Sequence, residues 1–151
     1  MISLALYQPD IPQNAGTILR MGECLDVPVH IIEPAGFVWS QKSLKRAGMD
    51  YLEHAEIIRH NSYEAFRKAT ANNRVVLLTT QADGPYTEFS FEKQDILLLG
   101  RESAGVPNTV HQDANARITI PMKRGIRSLN VAVSAAMVLG EALRQSGGFP
   151  R

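Results

Sequence analysis

The sequence predicts an α/β fold, with a mainly parallel sheet and helices on both of its faces. Short apolar runs alternate along the chain with amphipathic segments, which is the pattern of strand–helix units. The runs are continuously apolar, as in strands that are buried on both faces of a parallel sheet. With 151 residues, of which 44% are hydrophobic and 21% charged, the chain is expected to form one domain over residues 1–151.

The first half of the chain is predicted to contain two strands and three helices. An apolar run over residues 2–7 ends in a Gln-Pro-Asp turn and predicts a buried strand. Pro12 suits the first turn of the next helix, which apolar residues three and four apart extend to Asp26. The other elements of this half are a strand over residues 29–32, a short helix from a Ser40 cap to Ala47 with Gly48 as its stop, and a helix over residues 63–71 capped by Asn61.

The second half is predicted to contain three strands and one long helix. The strands, over residues 75–80, 96–99 and 118–120, are β-branched or leucine-rich and end in turn residues. The helix covers residues 128–144, with Ser128 as its N-cap. It is apolar nearly all round, so it is expected to lie centrally or to be covered by a partner chain.

Ligands of parallel α/β sheets bind at the carboxyl ends of the strands, so the segments that follow the strands are the candidate site. After the first strand come Asn14, Gly16 and Arg20, the last two on one helix face; a helix cap and a solvated arginine would also explain this spacing. After the strand over residues 96–99, a loop bracketed by glycines carries Glu102. It is not a phosphate loop, because Val and Pro follow its second glycine, and a structural turn is the simpler explanation.

Several other chemistries are not expected. The four histidines lack ligand spacing, so no metal site is predicted, and there is no nucleophile elbow of a hydrolase. Cys24, the one cysteine, cannot form an internal disulfide and is predicted to be a core thiol of its helix. Phe37, Trp39 and Tyr51 are interpreted as packing residues, with base stacking as the alternative.

Taken together and in order, the segments after the strands resemble the three motifs of the SPOUT class of RNA methyltransferases. Asn14, Gly16 and Arg20 are similar to the first motif and residues 98–107 to the second. Residues 120–122 with residues 128–132 are similar to the third. The resemblance covers essentially the whole chain, and residues 30–37 and 44–51 resemble the small branch of the class that acts on the wobble nucleotide of tRNA.

The resemblance implies a fold with a C-terminal trefoil knot and an enzyme that transfers a methyl group from S-adenosylmethionine. The acceptor would be the ribose 2′-hydroxyl of the wobble nucleotide, a cytidine or modified uridine. Arg20 and Asn14 are implied as catalytic; since an arginine is hard to deprotonate, an electrostatic role for Arg20 is favoured over that of a base, and Asn14 would orient the loop or substrate. The implied cofactor-binding residues are Leu78, Thr79, Gly100, Ile120, Met122, Ser128 and Leu129.

The resemblance also implies partners. One small protomer offers little surface to a tRNA, so a homodimer through the last helix is expected, binding the anticodon loop, where a base can be splayed out. Relatives commonly have a tyrosine where this chain has Gly140, which bears on local dimer or substrate contacts. The alternatives are a 2′-O-methyltransferase for another tRNA or rRNA position and a catalytically silent knotted RNA-binding module. A cytoplasmic location is expected, because the single cysteine suits a reducing compartment and no targeting or membrane segment is recognisable.

The formal net charge of +1 conceals a segregation of charge along the chain. Residues 34–49 contain three cations and residues 114–140 contain four, and neither stretch contains an acid. The total charge therefore excludes a polybasic tail but not a nucleic-acid substrate. The predicted RNA-binding residues are Lys42, Lys45, Arg46, Lys123, Arg124 and Arg127, of which the last three would otherwise form a solvated loop face.

Overall fold

The computed structural model describes residues 1–46, 54–126 and 129–151, and its strands form one sheet. The strands are β1 Ser3–Tyr7, β2 Val29–Ile32, β3 Ile57–His60, β4 Val75–Leu78, β5 Gly84–Pro85, β6 Ile96–Leu99 and β7 Ala116–Thr119. The helices are α1 Pro12–Leu25, α2 Gln41–Arg46, α3 Tyr63–Ala69, α4 Asn108–Asp113 and α5 Val131–Ser146. The strand order is β3-β2-β1-β6-β4-β7-β5, and neighbouring strands pair in parallel.

The sheet is buried on both faces, which explains why its strands are continuously apolar. Along β1, Leu4 and Leu6 belong to one core cluster, whereas Ala5 and Tyr7 belong to the other. Residues of α1 and α5 cover the first face, and Phe66 of α3 with residues of α4 covers the second. The prediction of a mainly parallel sheet with helices on both faces is therefore confirmed.

Two predicted helix caps are wrong. Helix α5 begins after Asn130, whose side-chain oxygen accepts hydrogen bonds from the backbone N–H groups of Ala132 (2.8 Å) and Val133 (3.2 Å). The predicted cap, Ser128, lies outside the described residues. Helix α3 is capped by Ser62, which accepts from the Ala65 N–H at 3.0 Å, and not by Asn61. In both cases two polar residues that could cap the helix lie close together in the sequence, and the backbone conformation determines which of them does so.

Cys24 is exposed and not in the core as predicted. The buried stripe of α1 consists of Ala15, Gly16, Ile18, Leu19 and Gly22, and Cys24 lies two residues past the end of that stripe, where a helix has turned away from the sheet. Phe37 and Trp39 are half-buried and pack against the core cluster that contains Leu4 and Leu6, as predicted. Ala47, Gly48 and Tyr51 lie outside the described residues.

The sequence missed the shortest elements and misplaced some boundaries. Strand β3 has only His60 fully buried and lies at the sheet edge, so its hydrophobic signal is weak. Strand β5 has two residues and α4 has six, both too short for a periodic pattern. The strand predicted over residues 118–120 begins two residues earlier, and the last helix runs from Val131 to Ser146.

Candidate active site

A cavity of about 610 Å³ lies at the carboxyl edge of the sheet, where β4, β6 and β7 end. Its lining includes residues 79–80, 100–106 and 120, which follow these three strands, together with Met122. Asn14 of α1 and the first residues of α5 also contribute. This is the edge at which ligands of parallel α/β sheets bind.

The cavity brings together residues that are far apart in the sequence. Six of the residues that the family resemblance assigns to the cofactor line it, and the seventh, Ser128, lies outside the described residues. Asn14, assigned to catalysis, lines it as well. The six are Leu78, Thr79, Gly100, Ile120, Met122 and Leu129.

The loop after β6 is folded tightly on itself, and this fold requires its glycines. Arg101 and Gly105 exchange backbone hydrogen bonds of 3.0 and 2.9 Å, and the Arg101 side chain donates from Nε to the Gly105 carbonyl at 2.9 Å. A Cβ on Gly100 would lie 2.8 Å from the backbone of Gly105, and Gly105 itself has a φ of +60°. The glycine bracket seen in the sequence therefore forms a compact wall of the cavity.

A chain of hydrogen bonds links three segments around the cavity. Asn14 donates from Nδ2 to Glu102 Oε1 at 3.4 Å, and its Oδ1 accepts from Asn130 Nδ2 at 3.0 Å. Since Asn130 also caps α5, the loop after β6 is connected through α1 to the start of α5. Both ends of the Asn14 amide group are thus held, and the two contacts distinguish its oxygen from its nitrogen.

Asp10, in the turn after β1, is bonded to the same loop. Its carboxylate accepts hydrogen bonds from the Glu102 N–H at 3.1 Å and from the Ser103 hydroxyl, while its own N–H donates to Glu102 Oε2 at 3.3 Å. The contact with the Glu102 side chain and the Ser103 hydrogen bond lower the pKa of Asp10 to about 2. Burial, followed by the contact with Asp10, raises the pKa of Glu102 above its ordinary value. Asp10 is therefore ionised at neutral pH, and Glu102 is the carboxyl of the pair that binds a proton first as the pH falls.

Arg20 does not lie with the residues above. It is exposed on α1, about 9 Å along the helix from Asn14, and it is not among the residues that line the cavity. Gly16, by contrast, is buried. The structure therefore brings one of the two predicted catalytic residues to the cavity and places the other on the surface of the same helix.

The predicted RNA-binding cations form two exposed groups. Those of the first group lie on α2, and those of the second follow Met122 directly along the chain. Arg127 lies outside the described residues. Arg117, in the same basic stretch, instead donates to the carbonyls of His111 and Ala114. The exposed cations are Lys42, Lys45, Arg46, Lys123 and Arg124.

Three polar residues of this site escaped assignment from the sequence. Asp10 belongs to a predicted turn, and Glu102 and Asn130 lie within the segments similar to the second and third motifs without a predicted role. The missing information is the strand order: β1 and β6 are neighbours in the sheet, so the residues that follow them meet. Two acids directly after strands were the available signal, but the sequence does not reveal which strands are adjacent.

The histidines take no part in this site. His30 and His60 are buried beside the core cluster that contains Phe66, with 2.8 Å between His30 Nδ1 and His60 Nε2, and both rings contact Phe66. Within residues 1–46, 54–126 and 129–151, no group of three His, Cys, Asp or Glu side chains is placed to hold a metal ion. Over the same residues, no helix combines the length and apolar character needed to cross a membrane.

Comparisons with known proteins agree on one family. The family model described as SpoU rRNA Methylase matches residues 1–140. A tRNA (cytidine(34)-2'-O)-methyltransferase from Beijerinckia indica subsp. indica is 59% identical and covers 98% of this chain and 94% of its own length. A solved structure concerned with the 2-OH methylation of C/U34 on tRNA is 41% identical, with a TM-score of 0.90 over 96% of this chain and 95% of that chain.

A more distant structure contains a bound cofactor. The SpoU methyltransferase AviRb from Streptomyces viridochromogenes, in complex with AdoMet, is 28% identical, with a TM-score of 0.79 over 95% of this chain and 57% of that one. The fold, the cavity at the strand ends and these matches lead to the same assignment. The chain belongs to the SpoU rRNA Methylase family of methyltransferases.

Proposed function

We propose that this chain transfers a methyl group from S-adenosylmethionine to the ribose 2′-hydroxyl of nucleotide 34 of tRNA, a cytidine or a modified uridine. The observation that carries the proposal is the cavity in which the segments after β4, β6 and β7 meet Asn14. The relative from Beijerinckia indica, 59% identical, supports the substrate, since its name states this reaction at cytidine 34. The neighbour concerned with C/U34 supports it independently.

The lining of the cavity fits S-adenosylmethionine. Leu78, Ile120, Met122 and Leu129 offer apolar walls, and the loop after β6 adds backbone groups, a combination that suits a neutral heteroaromatic ring. Thr79 and Gly100, with Ser128, would complete the binding set. When bound, the cofactor supplies an electrophilic methyl group on a sulfonium. The AdoMet complex of AviRb supports the same cofactor here.

The two catalytic roles are assigned to α1. Asn14 would orient the acceptor ribose, because Glu102 and Asn130 fix both ends of its amide. Arg20 would act electrostatically on the ribose or its phosphate, since a guanidinium is a fixed cation and a poor base. Its exposed position on α1 suits contact with a macromolecular substrate.

The RNA surface would consist of the exposed cations of α2 and of the loop that follows Met122. If both groups contact phosphates, the tRNA affinity will fall as the salt concentration rises. Removing either group should then reduce this salt dependence. The anticodon loop is a suitable target because its bases are unpaired. A tRNA substrate supports a cytoplasmic location.

A homodimer through α5 is supported by the exposed face of that helix. Val133, Met137 and Gly140 are four and three residues apart and therefore share one face, and the two apolar side chains are 49% and 40% exposed. A Cβ at Gly140 would meet nothing within 4 Å, so this face has open space at that position. We propose that a second copy of the chain covers this face.

A trefoil knot is supported by the path of the chain after β7. Strand β7 lies beyond β4 from β6, yet α5, which follows β7, contacts α1 and β6. On either side of residues 127–128, the described residues Ile120, Met122, Leu129 and Asn130 line the cavity at the carboxyl edge, beside the loop after β6. If the chain is knotted, pulling its two termini apart should give a fully stretched length shorter than the about 3.6 Å per residue of an unknotted chain.

The continuous sheet supports a single unit over residues 1–151.

The proposed reaction is tested with tRNA transcripts that lack one 2′-hydroxyl. Purified protein and cofactor carrying a labelled methyl group are incubated with a cognate tRNA, with the same tRNA containing 2′-deoxyribose at nucleotide 34, and with one containing it at nucleotide 32. We expect label in the first and third RNAs and none in the second. Label in all three would show methylation at another position, and label in none would contradict the enzymatic function.

A further inference from the structure

The cavity contains one carboxylate among its described lining residues. Of those residues, only Arg101 and Glu102 carry a titratable side chain, and Arg101 is directed to the Gly105 carbonyl and the face of the Tyr7 ring. Removal of a proton from a ribose hydroxyl requires an acceptor, and a guanidinium, whether of Arg20 or Arg101, holds its proton too tightly to serve.

Glu102 is positioned as a fixed acceptor. Asn14 Nδ2 donates to Oε1 at 3.4 Å and the Asp10 N–H donates to Oε2 at 3.3 Å. Each carboxylate oxygen is thus oriented by one long hydrogen bond and keeps further lone-pair capacity for a hydroxyl donor. The backbone N–H of Glu102 is bound in turn by Asp10, so the residue is held at both its main chain and its side chain.

We propose that the Glu102 carboxylate accepts the proton of the ribose 2′-hydroxyl during methyl transfer. This inference rests on the proposed function and assigns a base to it. As the O2′–C bond forms, the bond from that methyl carbon to sulfur breaks and its electron pair remains on sulfur, which becomes neutral. The O2′ proton moves to Glu102, which then releases it to water.

The neighbouring charges tune this carboxyl for the task. Asp10, from the turn after β1, faces it as an anion, and Arg101, the next residue on its own loop, is the cation nearest in sequence; Asn14 and Asn130, from α1 and the start of α5, are uncharged. Burial and the contact with Asp10 raise the pKa of Glu102, which makes it a stronger base than an exposed glutamate.

The first test compares Glu102→Gln with Glu88→Gln, an exposed glutamate outside the cavity. Glutamine keeps an oxygen for Asn14 but cannot accept the proton, so kcat should fall by about 10²–10⁴ while calorimetry shows cofactor binding changed by less than tenfold. The control should match the wild type. If the wild type methylates tRNA and Glu102→Gln keeps kcat within threefold, the proposal is overturned and the proposed function stands; an inactive wild type overturns both.

The second test needs no turnover. The side-chain carboxyl of Glu102 is followed by carbon NMR in the ligand-free protein, in the wild type and in Asp10→Asn. We expect a midpoint above the ordinary glutamate value of 4.5 in the wild type and a lower midpoint in the variant, because the Asp10 carboxylate contributes to the raised pKa of Glu102. A Glu102 midpoint at or below 4.5 in the wild type would overturn the proposal.

Discussion

The side chain of Asn130 performs two separable tasks. Its Oδ1 accepts the Ala132 and Val133 N–H groups and so caps α5, while its Nδ2 donates to Asn14 at 3.0 Å. Asn130→Ala removes both. Loss of a helix cap costs about 1 kcal/mol, which for a chain of this size lowers Tm by roughly 2–4 °C.

Asn130→Asp separates the two tasks. A carboxylate keeps the acceptor for the cap and is favoured at a helix N-terminus, so the free energy of unfolding should stay within about 0.5 kcal/mol of the wild type. It cannot donate to Asn14 Oδ1, so the Asn14 amide loses one of its two fixed ends. Since a hydrogen bond contributes on the order of 1 kcal/mol, kcat should fall by roughly fivefold.

Urea unfolding and single-turnover methylation are measured on the same preparations. Asn61→Ala is the matched control, because Asn61 precedes a helix but Ser62 provides the cap, and its stability should change by less than about 0.5 kcal/mol. The reasoning is refuted if Asn130→Ala is as stable as the wild type, or if Asn130→Asp is as active as the wild type.

Three further changes test other parts of the structure. Burial lowers the pKa of His30 to about 4, so its contribution to stability is complete above the unfolded value of 6.5 and is lost as the pH drops toward 4. The free energy of unfolding in urea should therefore fall by about 2 kcal/mol from pH 7 to pH 5. An unchanged urea midpoint would contradict a neutral His30–His60 pair. Gly100→Ala should abolish cofactor binding in calorimetry, because its Cβ would lie 2.8 Å from Gly105, and normal affinity would show that the loop can open. Asp95→Ala should destabilise by about 3 kcal/mol in chemical denaturation, since Asp95 is fully buried and accepts from Arg74 at 2.7 and 2.9 Å; a loss below 1 kcal/mol would contradict that pairing.

The parts of the fold that the sequence predicts well are those with strong periodicity. The strands Val29–Ile32 and Ile96–Leu99 have the predicted bounds, because a continuous apolar run between turn residues has one interpretation. Strand β3, at the sheet edge and half-buried, lacks that signal. The prediction of a buried Cys24 is wrong because an α-helix turns by 100° per residue. A shift of one residue in the predicted centre of the buried face of α1 is enough to move a residue at its border to the surface.

The family resemblance implies seven cofactor residues, and six of them line one cavity. No local sequence pattern places these residues together, because the cavity depends on β6 lying between β1 and β4 in the sheet. The same order explains why Asp10 and Glu102 meet. Strand alternation predicts an α/β sheet, but it does not reveal that α5 packs against α1 and β6.

The most direct measurement is mass-spectrometric mapping of ribose methylation in tRNA incubated with the protein and S-adenosylmethionine. We predict one added methyl group, on the 2′-oxygen of nucleotide 34, that depends on both Asn14 and Glu102. Methylation of a base, or of a ribose at any other position, would contradict the assigned reaction.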